Sequence, residues 1–279
     1  GIPRGCSREN PDSQLCREDR PVMSLRSASE IAAIGRAGRI VSEALEAAVD
    51  LAQPGVTTGR LDEVVSDVYR SAGAEAIFRG AASAAGATPF PAASCVSVNH
   101  QALHGIPGDR VLQVGDLLTI DTGCRFEGWC ADSATSVGVG RLEADAEVLL
   151  SGGRRALGVA LEVLGVGGRW LDVVRRVHEE VDRLQLRLIE GPAGHGIGRD
   201  LHEDPLAGWR RRGESDFDVV DGLVLAVEPV VTSGDGRLRL AAGGGTLETI
   251  DGHPTVHFEQ TVAVTSEGLE ILTPCRIGS

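Results

Sequence analysis

The sequence predicts an α+β fold built from two related halves, with sheets inside and helices outside. Two observations carry this expectation. The order helix, helix, strand, strand occurs twice, with matching motifs at corresponding points. In addition, each half places two acids on strands otherwise built of Val, Leu, Ile and Ala.

Residues 1–22 are polar, rich in Arg, Asp, Glu and Pro, and lack periodicity. They read as a disordered leader, or as an upstream or appended extension, ahead of a natural start at Met23. A single folded domain is expected over 23–279, with halves at about 24–140 and 141–273. Ile31, Ile34, Ala37, Val41, Ala44, Leu45 and Ala48 fall at helical spacing. They predict a first helix over about 29–52, capped by Ser29 and stopped by Pro54-Gly55. Gly55-Val-Thr-Thr-Gly-Arg-Leu-Asp-Glu-Val-Val65 then opens a helix over about 59–72. Its partner is Gly165-Val-Gly-Gly-Arg-Trp-Leu-Asp-Val-Val174, which follows a helix over about 144–164 and opens one over about 169–186. Gly115-Asp-Leu-Leu-Thr-Ile-Asp121 matches Gly222-Leu-Val-Leu-Ala-Val-Glu228, each an apolar run ending in an acid. The strands that follow also correspond, Asp132-Ser-Ala-Thr-Ser-Val137 with Glu259-Gln-Thr-Val-Ala-Val264. Three motifs in the same order are hard to produce by chance.

Composition narrows the chemistry. A net charge of −13 argues against nucleic-acid binding, which needs basic patches. All 27 basic residues are Arg, so neither a Schiff-base lysine nor a P-loop lysine is present. The six cysteines are scattered, with no C-x-x-C pair, and read as reduced thiols in a cytoplasmic protein. No apolar run reaches transmembrane length, so no membrane association is expected.

The acids are Asp121 and Asp132 in the first half, Glu228 and Glu259 in the second. Taken singly, each has an ordinary reading. Asp121 precedes Thr-Gly, Asp132 can cap a turn, Glu228 precedes Pro229, and Glu259 can point to solvent. Together they occupy repeat-equivalent positions. A buried carboxylate is unfavourable unless paired or bound to metal. If the halves face each other, the four acids converge, and divalent cations relieve their repulsion. His195, in Gly194-His-Gly-Ile-Gly198, would complete five ligands. Oxygen ligands with one imidazole suit Mn, Fe(II) or Co, with Zn a further possibility. Of the other histidines, His178 lies in a polar helical run and is expected on a solvated face. His257 shares the face of Glu259 and is expected to be structural, while His104 and His202 are candidates for the site.

These stretches resemble type I methionine aminopeptidases. The residues are Val98-Asn99 through His104-Gly-Ile-Pro107, Ile120-Asp121, Asp132-Ser133, Gly194 to Gly198, His202-Glu-Asp-Pro205, Val227-Glu228-Pro229 and Phe258-Glu259-Gln-Thr261. The resemblance runs from about residue 24 to about residue 273. It implies the pita-bread metallopeptidase fold, with antiparallel sheets inside two pseudo-twofold-related halves. It also implies two divalent metal ions held by Asp121, Asp132, His195, Glu228 and Glu259, with Asp132 and Glu259 bridging. By the same resemblance Glu228 shuttles a proton, His202 contacts the scissile carbonyl or tetrahedral intermediate, and His104 contacts the amide nitrogen or leaving group. The implied activity is removal of the N-terminal methionine from new polypeptides, with hydroxide attacking between the metals. The implied partner is a peptide N-terminus, and a monomer is expected.

The resemblance departs at the methionine pocket. Cys95 is kept, but Ala87 and Phe90 stand where the family has tyrosines, Leu201 replaces an aromatic, and Gly245 replaces a tryptophan. Sulfur–aromatic contacts of about 0.3–1.5 kcal/mol each are lost there. Leu201, Phe90, Cys95 and His104 remain the expected pocket. The departures open a second reading: the same metal chemistry on another substrate, as a non-Met or Xaa-Pro aminopeptidase or a tailoring enzyme. A third reading, a non-catalytic binding module, sits poorly with five retained ligands.

Overall fold

The computed structural model describes residues 23–81, 89–191, 193–211, 215–242 and 244–275. The expected leader 1–22 and the pocket position Ala87 lie outside the described residues. Four long helices appear in the predicted order: α1 (Ala28–Leu51), α2 (Thr58–Ala72), α3 (Ala144–Val163) and α4 (Trp170–Arg183). The cap of α1 is Ser27 rather than Ser29. Ser27-Ala-Ser-Glu30 forms a capping box, with Glu30 Oε2 accepting from the Ser27 N–H at 2.9 Å and its hydroxyl at 2.8 Å. Ser29 has no glutamate three residues on and falls inside the helix.

The internal repeat holds, with one correction to its register. Gly55 and Gly167, not Gly165, occupy equivalent turns, with φ of +96° and +85°. Two residues later each turn makes an isolated bridge, Thr57 to Val111 and Arg169 to Asp218. The left-handed backbone demands glycine and sets the pairing. The shared Leu-Asp is coincidental, because Asp62 accepts from the N–H groups of Ala93 and Ser94 while Asp172 reaches exposed Arg175. Gly115 (φ +92°) and Gly222 (φ +85°) open the two acid-ended strands, as the sequence paired them.

The sheets are antiparallel. In the first half the strand Leu117–Phe126 pairs with Ser94–Val98 on one side and Trp129–Gly138 on the other. In the second half the order is Gly268–Ile271, Gln260–Thr265, Leu223–Val227, Ala193–Gly196, Glu203–Gly208. Two three-stranded sheets complete the fold: Thr255–His257 with Val230–Thr232 and Arg187–Leu188, and Leu238–Leu240 with Leu247–Thr249 and Gln101–Leu103. Ile34, Val41 and Leu45 of α1 pack with Leu118 and Ile120 of the first sheet. Val173, Val177 and Val181 of α4 pack with Trp209, Leu225 and Val262 of the second half. Each such side chain fully buried contributes about 1.5–3 kcal/mol. No helix among the described residues is long and apolar enough to cross a membrane.

The halves meet along a seam made largely of side-chain hydroxyls. Thr261 Oγ1 donates to the Asp132 carbonyl at 2.8 Å and accepts from the Asp132 N–H at 3.2 Å. The Glu259 N–H donates to the Ala134 carbonyl at 2.9 Å, and Ser133 Oγ donates to the Glu259 carbonyl. Ser136 Oγ donates to the His257 carbonyl at 2.9 Å and accepts from its N–H at 2.8 Å. Thr261 is fully buried. Thr261→Val keeps the shape and deletes the hydroxyl, so it is expected to destabilise the fold by about 1–3 kcal/mol in denaturant unfolding. Wild-type stability in that variant would remove the seam from the interactions that hold the halves together.

Candidate metal centre

Six of the seven expected site residues lie at strand ends or in strands that face the seam, and His202 lies in a loop beside it. Asp121 sits on Leu117–Phe126, opposite Cys95 and Ala134. Asp132 sits on Trp129–Gly138, and Glu259 lies between Thr255–His257 and Gln260–Thr265. Glu228 follows Leu223–Val227, where Pro229 turns the chain away. His195 lies on Ala193–Gly196, opposite Ala226. Its flanking glycines are required by close packing. A Cβ on Gly194 would overlap the Ala226 carbonyl oxygen, and one on Gly196 the Asp204 carbonyl oxygen. His104 follows Gln101–Leu103 with a left-handed φ of +56°, an uncommon conformation for a non-glycine residue. Gly105 N–H donates to Ser97 Oγ at 3.1 Å, and the His104 carbonyl accepts from Thr246 Oγ1 at 3.1 Å, which holds that turn.

Asp132, His195 and Glu259 offer ligand atoms that all lie within 4.8 Å of one another. His195 Nε2 is 3.5 Å from Asp132 Oδ2 and 3.6 Å from Glu228 Oε1. On the far side of its ring, Nδ1 is 3.0 Å from the Gly196 carbonyl. A neutral His195 that donates there keeps its Nε2 lone pair for the acids' side. The His202 ring meets His195 edge-on, centroids 4.4 Å apart at 72°. Asp121 Oδ1 is buried with no hydrogen-bond partner among the described residues.

Burial drives the electrostatics. It pushes the Asp121 carboxyl well above its usual range, and the charges of Asp132 and Glu228 push further. Burial does the same to Glu259, with Asp132, Glu228 and Asp121 adding to it. Glu228 is raised to about 8, by burial first, with His195 pulling down and Asp132 pushing up. Burial opposes the charging of His195, yet Asp132 and Glu228 outweigh it and raise the ring to about 9. His104 is lowered by burial, and His202 by burial and by His195. Three acids that resist ionisation, an orphaned carboxylate oxygen and an imidazole lone pair fit a divalent cation: oxygen-rich, with one nitrogen.

A cavity of about 430 Å³ opens over the cluster, with His104, His195, His202, Glu228, Leu103, Leu238 and Leu247 on its walls. Three residues of the expected pocket are not on those walls. Cys95 is buried beside Asp121, its partner on the neighbouring antiparallel strand, with its thiol pushed well up by burial and by Asp121 and Glu259. Leu201 packs on the first hydrophobic core. Phe90 exchanges backbone hydrogen bonds with Gly80 and Ala81. Gly245 (φ +88°) sits beside Ile106.

Sequence reasoning missed two supports of the site. Glu203 accepts from the N–H groups of Arg199 at 2.7 Å and Asp200 at 3.2 Å and pairs with Arg26. Trp129 lies under the guanidinium groups of Arg199 and Arg26, at 3.7 and 5.3 Å. These contacts fasten the loop that carries His202. His178 is not on a solvated face; it is buried, with Nε2 2.8 Å from the Trp209 carbonyl. The Trp209 indole in turn donates to the Glu228 carbonyl at 3.2 Å. Its place next to Val177, on the apolar stripe of α4, was the available signal.

The raised groups set a pH dependence. Glu228 moves from an ordinary 4.5 to about 8 in the folded protein, so the folded state holds an extra proton between those values. That contribution is full below about 4.5 and is lost as pH rises through 8; His195 acts in the same direction between 6.5 and about 9. Metal-free protein is therefore expected to lose Tm from pH 6 to pH 8. Added Mn should raise Tm more at pH 8 than at pH 6, read by calorimetry; an equal rise at both would refute the proton-for-metal exchange.

Comparison with known proteins agrees with this geometry. Residues 32–266 match the model of metallopeptidase family M24. A methionine aminopeptidase from Clostridium perfringens is 34% identical over 250 residues, 89% of this chain and 98% of that protein. Methionine aminopeptidase 1 from Mycobacterium tuberculosis is 37% identical over 264 residues, 91% of this chain and 96% of that protein. The crystal structure of methionine aminopeptidase from Thermotoga maritima superposes with a TM-score of 0.86 at 31% identity, covering 90% of this chain and 99% of that one. The two-half architecture is thus the pita-bread fold, and the chain belongs to metallopeptidase family M24, in its methionine aminopeptidase branch.

Proposed function

We propose that this chain is a metal-dependent aminopeptidase that removes the N-terminal methionine from newly made polypeptides. The observation that carries the reading is the buried cluster of Asp132, His195 and Glu259, of which His195 reaches a cavity also lined by His104, His202 and Glu228. Asp121, Asp132, His195, Glu228 and Glu259 would hold two divalent ions, Mn, Co or Fe(II), with Zn the alternative. Such ions supply Lewis-acid charge and make water a nucleophile at neutral pH. Asp132 and Glu259, which lie with His195 in the tight cluster, would be shared between the two ions. Glu228, on the cavity wall, takes the proton from the attacking water and returns it to the departing amine. His202 donates to the oxygen that gains charge in the transition state, and His104 contacts the amide nitrogen of the bond being cut. The protein acts as a monomer in the cytoplasm.

One observation favours a second reading, in which the metals stay and the preferred residue changes. The described apolar wall of the cavity is Leu103, Leu238 and Leu247, with no aromatic among them. A wall of leucines discriminates between apolar side chains by only about 1–3 kcal/mol per methylene.

One assay separates the readings. The protein is loaded with Mn or Co and offered Met-Ala-Ser beside a panel of X-Ala-Ser peptides. Release of methionine alone supports the first reading, and release of another residue supports the second. No turnover with two metals bound overturns both. Asp132→Ala is expected to abolish metal binding and activity together; normal turnover would refute the bridging role. His202→Ala is expected to lower kcat by about 10²-fold with metal affinity kept, as for a lost transition-state contact. An unchanged kcat removes His202 from the reaction.

A further inference from the structure

Two buried histidines are left unused by the proposed reaction, His178 and His257, and His178 is engaged by the Trp209 carbonyl. His257 is 1% exposed, and among the described residues neither its Nδ1 nor its Nε2 has a hydrogen-bond partner. A buried polar group left without a partner costs about 1–3 kcal/mol, so an imidazole at this depth calls for an explanation. Its direction is not accidental. Ser136 holds its backbone on both sides, accepting from the N–H at 2.8 Å and donating to the carbonyl at 2.9 Å. Ser136 is itself fixed by Thr119 Oγ1 at 2.7 Å. The side chain that results points at Glu228, with Nε2 3.6 Å from Oε2.

Glu228 is therefore flanked on both oxygens. His195 Nε2 stands 3.6 Å from Oε1, and His257 Nε2 stands 3.6 Å from Oε2. The two rings are not equivalent. His195 Nδ1 is engaged by the Gly196 carbonyl, and its Nε2 faces both Asp132 and Glu228. His257 has no such partner, so its single N–H is free to sit on Nε2. A shift of a few tenths of an ångström brings that N–H into hydrogen-bond range of Oε2.

We propose that His257 is a positioning residue for Glu228, donating from Nε2 to Oε2 so that the carboxylate presents Oε1 to the metal side. The inference rests on Glu228 serving the reaction proposed above. A donor to one carboxylate oxygen fixes the rotation of the group and directs the other oxygen. It also makes the carboxylate's position independent of whether a substrate is present, which is what a proton carrier needs.

The test compares wild type with His257→Leu, which fills the space without a donor, and His257→Gln, which retains an N–H. Three readouts are taken: the His257 tautomer by two-bond ¹H–¹⁵N NMR, Mn affinity by calorimetry, and kcat and KM on Met-Ala-Ser. The proton is expected on Nε2. His257→Leu is expected to weaken Mn binding by about tenfold and to lower kcat by about tenfold or more, with KM within about twofold. His257→Gln is expected to restore both to within about threefold. A proton on Nδ1, wild-type Mn affinity and kcat in His257→Leu, or a His257→Gln as impaired as His257→Leu would each overturn the proposal. The tautomer is read on wild type and needs no variant to fold. If wild type cleaves no peptide, the reaction fails, while the tautomer and Mn affinity still judge His257 on their own.

Discussion

Asp132 and Glu259 lie far apart in the chain, and one narrow seam brings them together. Thr261 grips the backbone of Asp132, Ala134 accepts from Glu259, and Ser133 and Ser136 hold the backbone on either side of Phe258. The other features of the centre follow from that contact. Neither half alone supplies the five expected ligands: the first offers two acids, and the second offers two acids and the imidazole. The seam is built of short hydroxyl side chains, which allow two strands to approach more closely than Val or Leu would. Closeness is what turns four separate acids into one electrostatic unit. It is also what makes the unit unstable as a set of free charges, since burial and mutual repulsion keep Asp121, Glu228 and Glu259 from ionising.

A site of that kind needs a rigid surround, because its ligands repel one another when ionised. The rigidity is supplied through backbone contacts. His195 is pressed between Gly194 and Gly196, which admit the carbonyls of Ala226 and Asp204. Glu228 has its carbonyl held by the Trp209 indole, and Trp209 has its own carbonyl held by His178. His104 is held in a left-handed turn from both sides by Ser97 and Thr246. In each case the side chain that faces the cavity is aimed by a neighbour that does not touch it.

Much of this was legible in the sequence because it is local or repeated. Helical spacing placed all four helices to within a few residues, and the positive-φ glycines marked the repeated strands. The four acids stood out as carboxylates on apolar strands, an arrangement that needs a compensating charge. What was not legible depends on partners far away in the chain. Arg26 pairs with Glu203 from 177 residues away, and no spacing rule reaches that far. The cavity wall is equally hidden: Leu238 and Leu247 belong to a short hairpin whose strands are three residues long, too brief for periodicity to say which face they present. Of the residues expected in the pocket, Cys95 is the strand partner of Asp121 and Leu201 packs beside the core around α1, placements set by pairing and packing rather than by spacing.

Arg26 lies ahead of the first helix and belongs to neither half's repeat. Its backbone N–H donates to the Gly222 carbonyl at 2.7 Å, at the start of the strand that ends at Glu228. Its guanidinium pairs with Glu203, next to His202. One residue thus spans two segments that come from different parts of the second half and carry different duties. Mechanically it is a strut: a displacement of the His202 loop is transmitted to the strand beneath Glu228, and the reverse. The loop and the strand cannot drift independently, so sequence change in either is felt by both through a side chain that is not among the expected ligands.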